Sequence, residues 1–232
     1  MPETVWLLCD GRFDFVEKNY FLDGRDDIRV TTPVNCFLIK TNEGFGLIDT
    51  GCGNYFGPSC GHLEKALKKS GHEIRDVQFI FLTHLHPDHI GGLPLFPKVK
   101  LFIPKREFEH WINPSQEIEM TERNKKYLPF VRKTIEGHEG EIQLIEPGQI
   151  SVPTITALAA YGHTPGHTAY LYQNTLFCGD IISDLQRNSL ERATVFDHNP
   201  QEAMNTRLKL NSLALSRHYT LAGPHLSTLL SL

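Results

Sequence analysis

Short apolar segments alternate with segments of helical periodicity along most of the chain. Residues 34–40 and 45–50 have the β-branched and aromatic content of strands, and the polar stretch between them, which ends in Gly44, predicts a hairpin turn. Residues 62–70 have the apolar spacing of one helix face, and Gly71 follows them as a helix stop. The N-terminal half therefore predicts an alternation of strands and helices.

The second half continues this alternation. A helix-rich insert is predicted at residues 105–136. The final helix is predicted to end near Arg217, and Asn199 and Pro200 have the residue types of an N-cap and a first helical position. Further strands are predicted at residues 77–83, 99–104, 155–161, 169–173, 175–179 and 219–222. This mixture predicts an α/β fold built from packed layers.

Composition and charge narrow the class of protein. The 232 residues are 40% hydrophobic and 22% charged, which is typical of a globular protein. The formal net charge of -4 argues against a generally basic nucleic-acid binder, so no nucleic-acid partner is predicted. Five cysteines without a C-x-x-C pair favour a reducing compartment. With neither a signal peptide nor a long apolar run in view, we predict a cytoplasmic protein without membrane contact.

The chemically distinctive segment follows the buried strand predicted at 77–83. It reads His84-Leu85-His86-Pro87-Asp88-His89, and three imidazoles and a carboxylate within six residues suit borderline divalent metals, zinc first. If His84 and His86 leave the strand on the same side, both can bind one ion. Asp88 and His89, after a bend imposed by proline, can then face a second ion. A histidine-rich surface loop is the alternative interpretation.

Three more candidate ligands follow predicted strands elsewhere in the chain. His163 offers a third imidazole to the first ion, Asp180 can bridge two cations, and His225 can complete the second ion. Because separate strands would deliver these side chains to one rim of the fold, the sequence predicts a dinuclear site there.

With these motifs the sequence resembles the metallo-β-lactamase superfamily over residues 34–225. The resemblance implies one domain over residues 1–232, with a four-layer αββα sandwich of two mixed sheets flanked by helices. It assigns His84, His86 and His163 to one metal, Asp88, His89 and His225 to the other, and makes Asp180 the bridge. Asp49, in Leu47-Ile48-Asp49-Thr50-Gly51, matches an aspartate that organises the metal loop in this family.

Within the superfamily, the sequence is most similar to the branch of methyl parathion hydrolase and lactonase-like enzymes. The stretches that carry this resemblance are Pro33-Val34-Asn35, Phe56-Gly57-Pro58, residues 83–92 and residues 162–168. Trp111 occupies the place of a pocket tryptophan of that branch, and Phe196 lies in a segment similar to the one that follows its bridging aspartate. Phe108, Trp111 and Phe196 are therefore predicted to line an apolar substrate pocket, with core packing as the alternative.

The predicted function is a hydrolase that contains two Zn²⁺ ions, with iron or manganese as alternatives. Two metals lower the pKa of a bridging water from about 15.7 to about 7, so that hydroxide can attack a small-molecule ester, lactone or phosphotriester. Asp88 is predicted to orient the nucleophile or accept its proton. Quorum-signal lactonases of this superfamily carry a tyrosine three residues after the bridging aspartate, where this chain has Ser183. Tyr161 is a candidate substitute for that leaving-group acid.

Several alternatives stay open at this point. A glyoxalase II-like thioesterase shares H-x-H-x-D-H, a sulfur dioxygenase of this fold keeps the histidines but uses one iron, and a binding-only member needs no catalysis. Nuclease chemistry is disfavoured by the negative charge. Seven residues follow His225, fewer than is common in the family, so we expect a loosely held second metal or a sheet edge open to a partner. A homodimer is predicted because the family is often dimeric.

Overall fold

The computed structural model describes residues 4–17, 20–24, 28–113, 115, 120–148, 150 and 155–231. The strands are β1 Val5–Glu17, β2 Ile28–Thr41, β3 Gly44–Ile48, β4 Val77–Phe81, β5 Lys100–Pro104, β6 Ile142–Ile145, β7 Ile155–Ala159, β8 Thr168–Tyr172, β9 Thr175–Phe177, β10 Thr220–Ala222 and β11 Leu230–Ser231. The helices are α1 Leu63–Lys69, α2 Pro87–Ile90, α3 Lys105–Ile112, α4 Glu122–Glu136, α5 Asp184–Arg187 and α6 Pro200–Arg217. None of the described helices is long and apolar enough to cross a membrane.

The strands form two mixed sheets. In the first, the order is β1-β2-β3-β4-β5-β6, with antiparallel pairing from β1 to β3 and parallel pairing from β3 to β6. In the second, the order is β11-β10-β9-β8-β7, and β9 and β10 form its one described parallel pair. The predicted hairpin of residues 34–50 is confirmed as β2 and β3.

Alternation of apolar side chains along the strands creates a four-layer sandwich. Leu38 packs in a core with α1, α3 and α4, whereas its neighbours Phe37 and Ile39 point into a core between the two sheets. On the far side of the second sheet, Leu176 packs against Leu210 of α6. The first core thus lies between the helices and the first sheet, the second between the two sheets, and the third between the second sheet and α6. This order of layers confirms the predicted αββα architecture. The assignment of residues 1–232 to a single domain stays a prediction.

Strand β1 is the largest element that the sequence pattern did not predict. The pair Asp10-Gly11 resembles a turn signal, but in the structure the register of β1 against β2 shifts between Cys9 and Gly11 and the strand continues. Asp10 is fully buried, and its carboxylate accepts the backbone N–H groups of Cys52, Gly61 and Leu63 at 2.9–3.1 Å. Because those bonds occupy both oxygens, the nearby Asp10, Cys52 and Cys60 form a loop anchor.

The other predicted elements match the structure to within a few residues. Asn199 caps α6 as predicted, since its side-chain oxygen accepts the backbone N–H of Glu202 at 3.2 Å. The insert of residues 105–136 is confirmed as helix-rich by α3 and α4. Strand β6 was not predicted, and it forms the last strand of the first sheet.

Helix α3 is connected to two site loops by one buried carboxylate. Glu107 is fully buried, and it accepts the N–H of Leu85 at 3.1 Å and the N–H of Gly166 at 3.0 Å. It also accepts the hydroxyl of Thr164 and the indole N–H of Trp111, both at 2.7 Å. A Cβ at Gly166 would lie 2.0 Å from the Glu107 nitrogen, so only glycine permits this close approach. Glu107 therefore sets the spacing between the two loops.

Replacement of Glu107 by alanine should destabilise the fold substantially. Four buried donors would lose their acceptor, and a loss of about 3–5 kcal/mol in the free energy of unfolding is expected. Urea denaturation of the metal-free protein measures it. Glu109→Ala, at an exposed position of the same helix, should change stability by less than about 0.5 kcal/mol. Equal stability of the two variants would contradict the anchoring role.

Candidate metal centre

The histidine-rich segment changes conformation at Pro87. His84 lies just beyond the end of β4, and His86 is still extended, with φ -67° and ψ 153°. Pro87 occupies the first position of the short helix α2, which also contains Asp88 and His89. The proline-imposed bend predicted from the sequence is thus present, and it turns the two pairs of ligands in different directions.

One group of candidate ligands consists of His84, His86, His163 and Asp180. The His86 Nδ1 atom lies 3.0 Å from His84 Nε2 and 3.2 Å from His163 Nε2. The Asp180 Oδ2 atom lies 3.5 Å from His163 Nε2. All four ligand atoms are within 4.8 Å of one another, which is compatible with a single ion held between them.

The other group consists of Asp88, His89, His225 and again Asp180. The His225 Nε2 atom lies 3.2 Å from Asp88 Oδ2 and 3.4 Å from Asp180 Oδ2. The His89 Nε2 atom lies 3.2 Å from Asp180 Oδ1. Asp180 belongs to both groups, so the structure brings all seven predicted ligands together around one shared carboxylate.

Hydrogen bonds behind the imidazoles direct their lone pairs towards the centre. Carboxylate and carbonyl oxygens only accept, so the ring nitrogens facing them must carry protons. His89 Nδ1 faces Asp49 at 2.8 Å, His163 Nδ1 faces Asp197 at 3.2 Å, and His225 Nδ1 faces the Pro33 carbonyl at 2.8 Å. In each ring the Nε2 atom remains as a ligand atom.

Two observations test whether a divalent metal fits these residues. The buried His89 Nε2 and Asp180 Oδ1 atoms face each other at 3.2 Å without the alignment of a hydrogen bond, although buried polar atoms almost always form one. In the other group, three imidazole nitrogens converge within 3.0–3.2 Å contacts. A cation satisfies both arrangements, and nitrogen and carboxylate ligands suit zinc. The residues therefore fit a dinuclear metal site.

The electrostatic environment differs between the two groups. Burial lowers the pKa of His84 well below its usual value and lowers the pKa of His86 to about 3, so these rings are neutral and can act as ligands. At His225 burial acts in the same direction, but the Asp180 and Asp88 carboxylates together outweigh it and raise the pKa to about 10. The group that contains both carboxylates thus strongly attracts positive charge.

Asp49 connects the metal-site segment to the end of β3. Its oxygens accept the Thr83 backbone N–H and the Thr83 hydroxyl, both at 2.8 Å, in addition to His89. Asp49 adopts a left-handed φ of 59°, which aspartate tolerates better than most residues. The Thr83 hydroxyl, having donated to Asp49, accepts from His84 Nδ1 at 3.1 Å. One carboxylate thus orients imidazoles of both groups.

Three groups that orient ligands were not identified from the sequence. Asp197 contacts His163, but in the sequence it was recognisable only as part of the segment that contains Phe196. The Asn124 side-chain oxygen lies 3.3 Å from His86 Nε2, which leaves Nδ1 as the ligand atom of that ring. The third group is the Pro33 carbonyl. Asn124 lies in the helix-rich insert outside the motifs, whereas Pro33 and Asp197 lie in stretches that resemble the family, although neither stretch indicated which imidazole it would contact.

A cavity of about 390 Å³ opens over the metal-site residues. Its floor includes His86, Asp88 and Asp180, and Phe196 lies in its wall as predicted. Tyr20 and Tyr127, which the sequence pattern did not single out, also line it. Both come from segments whose position depends on tertiary packing.

Two predicted pocket residues do not line this cavity. Trp111 is fully buried in the core beneath α3, and its indole N–H donates to Glu107 one turn earlier on the same helix. Its ring meets the His86 ring edge-on, with 5.7 Å between centroids, so it supports a ligand from behind. Phe108 packs, partly buried, against the same core. The prediction that these two side chains form the pocket wall is wrong, because α3 turns both of them towards the core.

Comparison with known proteins identifies the family. A sequence profile of the metallo-beta-lactamase superfamily matches residues 29–225. The chain therefore belongs to the metallo-beta-lactamase superfamily, and it is a metal-dependent hydrolase. It is similar to N-acyl homoserine lactonase from Bacillus thuringiensis, with 28% identity over 200 residues, which are 78% of this chain and 74% of that protein.

Solved structures are similar over nearly the whole chain. The hydrolase AbOPH of the beta-lactamase superfamily has a TM-score of 0.82 and 27% identity, covering 96% of this chain and 86% of that one. AidC, a dizinc quorum-quenching lactonase, has a TM-score of 0.84 and 24% identity, covering 96% and 87%. The similarity to AidC supports the assignment of the fold. The predicted superfamily and the lactonase-like resemblance are confirmed, and the link to methyl parathion hydrolase stays a prediction.

Asp49→Asn should weaken metal binding without unfolding the protein. The amide presents N–H groups where His89 and Thr83 need an acceptor, and changes to such supporting partners typically reduce metal affinity about 10–100-fold. Zinc per chain after dialysis against graded chelator measures the effect. Asp76→Asn changes a carboxylate that accepts a backbone N–H outside the site, and its zinc content should equal that of the wild type. Unchanged affinity in Asp49→Asn would contradict the orienting role.

Proposed function

We propose that this protein is a dizinc hydrolase that opens lactones or cleaves esters of small, uncharged molecules that carry an apolar acyl group. The observation that carries the proposal is the sharing of Asp180 by two ligand groups at the floor of a cavity. The seven ligands, Asp49 and the cavity are assigned to one reaction centre. The similarity to N-acyl homoserine lactonase supports a lactone as substrate.

We assign the following roles in the reaction to residues of the chain. These ligands would hold two zinc ions, which when bound would lower the pKa of a water and polarise the substrate oxygen. Asp88 lines the cavity, with its Oδ2 atom 3.2 Å from His225 Nε2. From there it can orient the attacking water and accept its proton. The buried floor limits competing water, which strengthens the electrostatic interactions with charge that develops on the substrate.

The cavity wall favours an uncharged, partly apolar substrate. Val30, Phe56, Leu185 and Phe196 provide apolar surface that suits an acyl chain. Among the described residues that line the cavity, Arg123 is the only arginine or lysine. Its guanidinium lies 3.9 Å from the centre of the Phe196 ring and 3.4 Å from a Glu17 oxygen, so its charge is already balanced.

The same wall disfavours a glyoxalase II-like thioesterase. A glutathione-derived substrate carries carboxylates, and it needs basic groups around the opening. Among the described residues, Asp14, Glu17 and Asp184 line the cavity together with Arg123, which is already paired with Glu17. The acidic wall would repel such a substrate, and we rank this alternative below the lactonase.

Zinc-loaded protein should hydrolyse N-hexanoyl-homoserine lactone, and removal of the metal should abolish the activity. Since the water is activated only with metal present, a loss of at least about 100-fold on chelation is expected. The measurements are metal per chain by elemental analysis and ring opening by proton release. Two zinc ions per chain support the proposal. One iron per chain, or faster cleavage of a glutathione thioester or a phosphotriester than of the lactone, would contradict it.

Asp88→Asn should lower kcat for the lactone about 100- to 10,000-fold, because an amide cannot accept the proton of the attacking water. Metal content is measured on the same sample, since Asp88 is also a proposed ligand. Asp76→Asn, purified in parallel, should keep the wild-type rate. Full activity of Asp88→Asn at full metal content would show that the residue is not the base.

A further inference from the structure

A tyrosine hydroxyl lies in the cavity wall close to the shared ligand. The Tyr20 side chain is 6% exposed, and it lines the cavity close to Ser183. Ser183 lines the same cavity three residues after Asp180. A proton donor is thus present beside the position that lacks a tyrosine in the sequence.

The backbone around Tyr20 is attached to the segment that supports a ligand. Its carbonyl accepts the Val195 N–H at 3.0 Å, and Phe21 pairs with Thr194 as an isolated bridge. The same segment continues to Asp197, which contacts His163 at 3.2 Å. The Tyr20 ring also packs against Phe196, with 5.4 Å between centroids. Tyr20 is therefore held in a constant position relative to the metal-site residues.

The environment keeps the Tyr20 hydroxyl protonated. Burial raises the pKa of Tyr20 to about 12, the carboxylates of Asp180 and Asp197 act in the same direction, and the Ser183 hydroxyl and Arg207 oppose them. At neutral pH the phenol can therefore donate a proton. Opening of an ester or lactone creates an alkoxide, a stronger base than a phenolate, so the transfer is downhill.

We propose that Tyr20 is the acid that protonates the leaving oxygen. The inference rests on the proposed function. When the carbon–oxygen bond breaks, its electron pair stays on the leaving oxygen, and the Tyr20 proton moves to that oxygen. The phenolate then recovers a proton from water that enters as the product leaves. No oxidant or further reactant is required.

Two other tyrosines are less suited to this role. Tyr161 was a candidate from the sequence, but its ring packs under the Arg106 guanidinium at 4.5 Å, and it is not among the described residues that line the cavity. Tyr127 does line the cavity, but its ring lies edge-on against the ring of the ligand His86, with 5.6 Å between centroids.

The test compares substrates that need an acid with one that does not. Tyr20→Phe should reduce kcat for N-hexanoyl-homoserine lactone about 100-fold or more, the usual size of a general-acid effect. It should change kcat for 4-nitrophenyl hexanoate less than about threefold, because nitrophenolate leaves without protonation. Tyr161→Phe is the matched control and should behave as wild type on both substrates.

A binding measurement provides a second readout that does not depend on turnover. The product N-hexanoyl-homoserine has the leaving hydroxyl, and N-hexanoyl-2-aminobutyrate lacks it. Calorimetry with zinc-loaded wild type should show tighter binding of the hydroxyl-bearing acid, and Tyr20→Phe should lose that preference while keeping its zinc and its melting temperature.

The outcomes separate this proposal from the proposed function. Wild type that hydrolyses neither ester nor lactone would overturn the proposed function, and the Tyr20 role with it. Active wild type with equal losses on both substrates in Tyr20→Phe, or with no loss on the lactone, would overturn the Tyr20 role alone. A leaving-group-dependent loss in Tyr127→Phe in place of Tyr20→Phe would assign the acid to Tyr127.

Discussion

The position of the Asp180 carboxylate determines whether the two ligand groups form one site. The loop that carries it is fixed from both sides. His167 Nε2 accepts the Asp180 backbone N–H at 3.1 Å, and the fully buried Arg207 donates to the Ile181 carbonyl at 2.7 Å. Gly179 before it has φ 53°, and a Cβ there would meet His167 Nε2 at 2.3 Å. A buried carboxylate held so rigidly among imidazoles creates a place for cations.

The two sheets are connected at the rim where the site lies. The Tyr170 hydroxyl of β8 donates to the Leu82 carbonyl at 2.8 Å, and the Thr168 N–H donates to the Thr83 carbonyl at 2.9 Å. On the other side, the Asn35 side chain donates to the Leu226 carbonyl at 2.8 Å, beside His225. These bonds join the end of β4 and strand β2 to the loops of the second sheet. Ligands from distant parts of the chain thereby come within a few ångströms of one another.

The cavity above this rim is built mainly from elements outside the ligand motifs. Residues of β1, β2, α4 and the segment around Phe196 form its walls. These elements hold no proposed ligand, but Pro33, Asn124 and Asp197 within them contact ligand imidazoles, so the wall and the metal site share supporting groups. In this wall, Arg123, whose charge is balanced by Glu17, bears on the proposed choice of substrate. Tyr20, the proposed acid, bears on the chemistry of the leaving group.

Much of the site was contained in short stretches of sequence. The spacing from His84 to His89 and the proline between them indicated two ligand pairs, and Asn199-Pro200 indicated the start of α6. Such features depend on contacts within a few residues, so they can be recognised locally. Asp49, in the strand-end motif Leu47-Ile48-Asp49-Thr50-Gly51, was likewise recognisable by its resemblance to the family.

Other features depended on packing between residues far apart in the chain. Trp111 and Phe108 are ordinary aromatic residues of a helix, and only the docking of α3 decides that they face the core. Tyr20 and Ser183 are 163 positions apart and meet because the segment after β1 pairs with the one before Phe196. The sequence by itself determined the superfamily and the ligand types. The tertiary structure decided the pocket wall and the proposed proton donor, since those side chains acquire their surroundings only when the two sheets pack together.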